Sequence, residues 1–353
     1  MAFTEFGSGD PQAVKRWSQT LMRETFGKMD IRSLIGKGEE ACIQLRTELD
    51  KDPGDEIRFD LLPQDRSDGV DGDSRLAGFE TKLTFYQDTL KINQKRHAHT
   101  FKQMSQQRTV HSLRGAAKFS LSEWWSWFIE ASTFAHLVGV TGDGNESVSG
   151  ALRVSTPGQN DFAGNQLTAL DAGHLVDNAG NGCDLGMIDD AVAKAKVNNP
   201  RIVPLVIGGQ KRYVIYLHPY QIRSIRSSTG AGTWNEISQR AAAAGGTNPI
   251  YTGAMGEYNQ CIIRESEFVP SVGTVRHGVL LGQGSACIAF GNAWNKSSRS
   301  ATSTGLPFNW KERMDDYDNE EGVAGISCLG LKGSQFNSLA FGRIGLRSTD
   351  SAP

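Results

Sequence analysis

His97 and His99 stand two positions apart, and on an extended strand that spacing places both imidazoles on one face, as a two-histidine metal site requires. Nothing else in the sequence marks a third ligand, so both are read as surface or interface histidines. Asp68, Asp71 and Asp73 crowd one stretch as calcium-type oxygen donors do, yet their spacing and the missing bidentate glutamate depart from an EF-hand loop. A solvated acidic loop tip is the stronger reading. The five cysteines, Cys42, Cys183, Cys261, Cys287 and Cys328, are odd in number, widely spaced and without a CxxC pair, which argues against a disulfide framework or a zinc site and for a reducing compartment. No GxxxxGK[ST] run cradles phosphate, since Gly208-Gly209 and Gly230-Ala231-Gly232 lack the Lys-Ser/Thr pair, and no serine has the flanking glycines of a nucleophile elbow. His111, His136, His174, His218 and His277 are scattered. The expectation is a chain with no catalytic residue, no cofactor and no metal.

The elements that would carry these residues form an α+β mixture without the regular strand and helix alternation of a nucleotide-binding sheet. An amphipathic helix opens at Asp10-Pro11, with Val14, Trp17, Leu21 and Phe26 on one side and Lys15, Arg16 and Arg23 on the other. It packs either on its own core or on a neighbouring subunit. From about residue 43 to 101 the pattern alternates, with Ile57, Phe59 and Leu61 outgoing and Leu83, Phe85, Leu90 and Ile92 returning, as in a long two-stranded excursion. Its middle, residues 63–78, is acidic, glycine-bearing and too polar to bury, and structureless loops of that length generally have an external task.

The clearest helix covers residues 112–138, where Leu113, Ala117, Leu121, Trp124, Phe128, Ala131, Ala135 and Val138 recur in steps of three and four. At 1.5 Å per residue it reaches roughly 40 Å. Gly139 is a stop signal, and Trp124, Trp125 and Trp127 cannot all face one side, so two contact surfaces are expected. A break at Ser120, with Glu123 completing a capping box, is the alternative. A polar, glycine-rich stretch then runs to about Cys183. Helices follow over residues 187–197 and 234–244, the second between a Thr233/Glu236 capping box and Gly245-Gly246. Strands are expected at residues 203–207, 213–217, 261–264, 279–281, 287–290, 324–331 and 339–346.

Composition narrows the class. The 353 residues carry 37 Lys plus Arg against 39 Asp plus Glu, a net charge of −2, which disfavours a dedicated nucleic-acid binder. No apolar run approaches the roughly 18 residues of a membrane helix, and the start shows no basic region followed by an apolar one, so neither a spanning protein nor a signal-directed one is expected.

Several strings carry a resemblance. PIYTGAMGEYNQCIIRESEFVP (residues 249–270) and YVIYLHPYQIRSIR (213–226), together with LIGKGEEACIQLRTEL (34–49), GDEIRFDL (54–61), QRTVHSLR (107–114) and MDDYDNEEGVAGISCLGLKGSQFN (314–337), are spread over nearly the whole chain and follow one another along it in the same order as in a known family. They resemble the N-four-type major capsid protein family of tailed bacteriophages. The resemblance implies the tailed-phage major capsid protein fold: an N-arm (residues 1–42), an E-loop hairpin (43–101), a P-domain spine helix (102–140), an A-domain with parts of the P-domain (141–322) and C-terminal strands returning to the P-domain (323–353). It implies a structural, non-enzymatic subunit that self-assembles into hexamers and pentamers of an icosahedral head around double-stranded DNA. An encapsulin-like compartment enclosing enzyme cargo is the alternative. Implied subunit contacts are Asp65, Arg66, Asp68, Asp71, Asp73 and Arg75 at the E-loop tip and Trp17 and Leu21 in the N-arm. Implied partners are further copies of the chain, portal and scaffolding proteins, decoration proteins and packaged DNA held non-specifically, with no membrane. The place of action is the virion, after assembly in the host bacterial cytoplasm.

Overall fold

The structure, a computed structural model, describes residues 21–48, 54–62, 69–140, 165–228, 256–291 and 308–350, except positions 74, 79, 81, 84, 166, 168, 179, 199, 208 and 318. Helix α1 (residues 21–28) leads through a 3-10 turn to β1 (Ile35–Gly36) and β2 (Ile43–Arg46). A hairpin of β3 (Glu56–Leu61) and β4 (Tyr86–Lys91) follows, then β5 (Asn93–Lys102), the short α2 (Gln103–Arg108) and the long α3 (Leu113–Val138). The middle of the chain gives β6 (Leu175–Asn178), α4 (Leu185–Val197), β7 (Leu205–Ile207), β8 (Gln210–Leu217), α5 (Pro219–Ser227), β9 (Glu257–Tyr258), β10 (Cys261–Glu265), β11 (Ser271–Val272) and β12 (Val275–Leu281). The remainder is strand: β13 (Ala286–Gly291), β14 (Phe308–Asp315), β15 (Glu320–Gly333), β16 (Gln335–Phe336), β17 (Leu339–Ala340) and β18 (Arg343–Thr349).

Helix α3 runs unbroken through Ser120. Its first turn is capped by the Ser112 hydroxyl, which accepts the Gly115 N–H at 3.2 Å, and its last by Gly139 in the left-handed region at φ 75°. From Leu121 onward almost every face is covered. Trp125 is fully buried against Phe308 at 5.1 Å, while Trp124 stacks on His97 at 4.3 Å on another side, giving the two contact surfaces expected of the tryptophan cluster.

Beneath α3 lies the first sheet, ordered β1-β2-β13-β15-β14, with β5 paired to β15. Leu21, Trp125, Phe128, Ile288, Phe308, Trp310 and Leu331 belong to the core between them. The approach is tight enough that a Cβ on Gly325 would meet the Trp125 Nε1 at 2.7 Å. A second sheet, ordered β6-β18-β12-β8-β10-β9 with β7 on β8 and β11 on β12, has its own core of Ile188, Val192, Tyr213, Ile215, Ile222, Leu280 and Ile344. Helix α4 is capped by Asp184 on the Met187 N–H at 2.9 Å. Helix α5 starts on Pro219, with His218 and Gln221 satisfying each other's backbone N–H groups in a capping box.

Several expectations need correction. Leu83 and Phe85 are not part of the returning strand, which begins at Tyr86, and they are 62% and 56% exposed. The strand expected over residues 339–346 is two strands, because Gly342 at φ 71° turns the chain where a Cβ would meet the Gln283 carbonyl at 2.5 Å. The polar stretch before Cys183 contributes β6, paired in parallel with β18. Strands β2 and β5, inside the segment read as an excursion, pair with β13 and β15 in the first sheet. Strands β13 and β14 join that same sheet, whereas β18 lies between β6 and β12 in the second. The expected helix at 234–244, the Asp10-Pro11 start, Val14 and Trp17 lie outside the described residues.

Candidate assembly surfaces

Strand β3 alternates buried Ile57 and Phe59 with exposed Arg58 and Asp60, so one face of the hairpin is apolar and seeks a seat. That seat is a third, separate core. Ile57 pairs with Leu90, Phe59 pairs with Asp88 and meets Phe336 edge-on at 5.8 Å, and Cys287, Ala289 and Phe341 complete the cluster. Asp88 is 6% exposed, and its carboxylate accepts the Lys332 Nζ on one oxygen and the Gln335 N–H at 3.0 Å on the other. On the opposite edge of β4, the Asn165 side chain accepts the Lys91 N–H at 2.9 Å and donates to the Lys91 carbonyl at 2.8 Å, standing in for a missing strand.

Beyond this root the described residues change character and are mostly exposed. Leu62, Leu76, Leu83 and Phe85 are large apolar side chains more than half exposed, beside exposed Asp71, Asp73 and Arg75. Such a concentration of uncovered apolar groups on one segment makes it a candidate contact surface. Of the expected tip residues, Asp65, Arg66 and Asp68 lie outside the described residues. A second exposed group sits where β14 turns into β15. There Tyr317 is fully exposed at φ 52°, three residues from exposed Met314; Met104 in the first turn of α2 and Val110 just after that helix are exposed as well.

The residues singled out for chemistry have structural settings. His97 and His99 meet edge-to-face at 5.0 Å, both are half-buried, and His97 stacks on Trp124 of α3. Burial, then the neighbouring His99, lowers the basicity of His97. All five cysteines are buried and free, and burial pushes the Cys42 and Cys261 thiols up to about 12, so they stay protonated and unreactive. Leu21 is wholly buried in the core of its own chain and is thereby occupied there. Glu130, on α3, accepts the N–H groups of Asp30 and Ile31 and ties the entering segment to the long helix; burial raises its carboxyl to about 7.

Sequence reading missed Asp88, Lys332 and Asn165. Asp88 and Lys332 are 244 positions apart, and no local pattern joins residues so distant. The alternation in EIRFDL marked the strand but not its seat.

Comparison with known proteins places this architecture. The profile of the phage capsid protein family matches residues 5–351. The chain is similar to the major capsid protein of Pseudomonas phage KPP25, with 24% identity over 362 residues that cover 96% of this chain and 93% of that one. Among solved structures it resembles the capsid of Ralstonia phage GP4, at 29% identity and a TM-score of 0.75, covering 100% of this chain and 99% of that one. It shares its fold with the cyanophage Pam1 capsid subunit, at 16% identity and a TM-score of 0.69, covering 100% and 95%. The fold is thus one shared with phage capsids, and the chain belongs to the phage capsid protein family.

Proposed function

We propose that this chain is the major capsid subunit of a tailed phage, that it assembles into hexamers and pentamers closing an icosahedral head around double-stranded DNA, and that it catalyses no reaction. The observation that carries the reading is the hairpin: its root is built into the subunit, while Leu62, Leu76, Leu83 and Phe85 stand uncovered on the projecting part. A second copy is the natural cover, because closed shells repeat one self-complementary set of patches and multiply modest contacts. In this reading residues 1–42 act as the N-arm, 43–101 as the E-loop, 102–140 as the spine helix and most of 141–322 as the A-domain, with residues 323–353 returning to the P-domain. Asp65, Arg66, Asp68, Asp71, Asp73 and Arg75 lie on a neighbour, and Trp17 contributes from the N-arm.

Portal, scaffolding and decoration proteins are the further partners. DNA is met non-specifically through basic residues turned toward the lumen, and assembly takes place in the host cytoplasm. The phage relatives described above favour a head over an encapsulin-like compartment. Electron microscopy of the purified protein, with and without a scaffold, tests the proposal. Closed shells or capsomers are expected, and a strictly monomeric species at high concentration in both conditions would reject it.

A further inference from the structure

The hairpin leaves the subunit across a saddle that allows little freedom. Lys91 and Ile92 pass over two glycines of the first sheet. A Cβ on Gly330 would run into the Lys91 carbonyl, and one on Gly291 would meet the Ile92 Cδ1 at 2.5 Å. Three residues before Lys91 stands Asp88, and two of its polar contacts, to Lys332 and Gln335, tie the returning strand to other parts of the root. One oxygen takes the Lys332 ammonium and the Thr89 N–H at 2.8 Å, and the other takes the Gln335 N–H at 3.0 Å. Lys332 also donates to the Thr89 carbonyl at 3.1 Å, so the cation grips both side chain and backbone of β4. Behind them the buried Arg343 guanidinium donates to the carbonyls of Ser285 at 2.9 Å and Ser334 at 3.2 Å, fixing the strand ends from which Lys332 and Gln335 project.

We propose that Asp88 is a positioning residue for assembly: it sets the angle at which the hairpin leaves the subunit and so aims the tip at its neighbour. The inference rests on the reading of the hairpin as an intersubunit arm. Apolar packing alone, as between Phe59 and Phe336, tolerates sliding, whereas a carboxylate held by an ammonium and a backbone N–H is satisfied in one orientation. The lever is long. A six-residue strand measures about 20 Å, so a tilt of about 5° at the root moves its far end by roughly 2 Å, enough to separate hydrogen-bonding partners.

Because the native cysteines are all buried, single cysteines introduced at exposed Asp60 and Val197 accept spin labels selectively, reporting the hairpin's position relative to α4 in the unassembled full-length subunit. Two variants are compared: Lys332→Met, which removes the cation but keeps the stem, and Asp88→Asn/Lys332→Met, which removes both charges and leaves no buried ion unpaired. The native subunit is expected to give one narrow distance distribution. Both variants are expected to broaden it at least about twofold, while unfolding stays cooperative and closed shells fall by about an order of magnitude. Should Lys332→Met fail to fold, the uncharged pair decides. An unchanged width in a folded variant, or a native distribution already as broad, overturns the proposal, as do shells formed in normal number by subunits whose hairpin has loosened. Failure of the native protein to form shells would instead reject the assembly reading, since the distance measurement needs no shell.

Discussion

Glu130 and His277 show how single buried groups govern the subunit's response to pH. The Glu130 carboxyl is raised to about 7 by burial, with Asp30 and Glu267 adding repulsion, against an ordinary value of 4.5. Between those values the folded chain keeps a proton that the unfolded chain has released, so its contribution is complete below about 4.5 and is lost as pH rises through 7. The difference is on the order of 3 kcal/mol. His277 works the other way: burial, then Arg347, lowers it from 6.5 to about 4, so stability is lost as pH falls from 6.5 toward 4. The two slopes oppose each other over nearly the same window, and single substitutions should unmask them. Glu130→Gln, whose amide oxygen can still accept both N–H groups, is expected to melt higher than the native subunit at pH 8 and no higher at pH 5. His277→Gln should flatten the loss on acidification. Calorimetry across pH 4 to 8 checks both. Neither group was legible in the sequence, because a pKa depends on which distant segments close over it.

At the scale of elements, legibility followed the range of the cause. Helix α3 was readable because Ser112, Gly139 and a three-and-four spacing are all local signals. Ser112→Ala removes the side-chain acceptor of the Gly115 N–H and should cost about 1 kcal/mol, seen as a lower denaturant midpoint with an unchanged slope. Strand β8 was equally plain in its β-branched and aromatic run, whereas helix α5, with Pro219 at its first position, was not among the helices expected from spacing. The interruption at Gly342 was not plain, since Leu339 to Leu346 reads as one apolar run and only the approach of the Gln283 carbonyl dictates the turn. The hairpin saddle was hidden for the same reason. Gly330→Ala would place a methyl group into the Lys91 carbonyl, a backbone atom that cannot yield cheaply, so a loss of about 2 kcal/mol or more is expected, with the third core unseated. Increased proteolysis between residues 62 and 85, ahead of cleavage elsewhere, would register it.

For the whole molecule, the separation between a seated root and an uncovered tip makes a sharp prediction. Replacing Asp65 to Arg75 by a short Gly-Ser turn leaves the third core untouched, so the subunit's melting temperature should move by no more than about 2 °C. Shell formation should fail or weaken, as light scattering and microscopy would record; unfolded subunits, or shells of native resistance to denaturant, would show the hairpin to be an ordinary internal element. The fold class and the hairpin's existence were open to sequence reading, but the division of the strands between two sheets was not, since pairing partners such as β6 and β18 are about 170 residues apart. That division also bears on the order of synthesis. Strand β18, formed by residues 343–349, lies between β6 and β12, so these earlier strands face an empty slot until residues 343–349 have been synthesised. A nascent chain that lacks β18 therefore cannot complete its second core, to which Ile344 and Leu346 belong, however long its other strands have been free to pair.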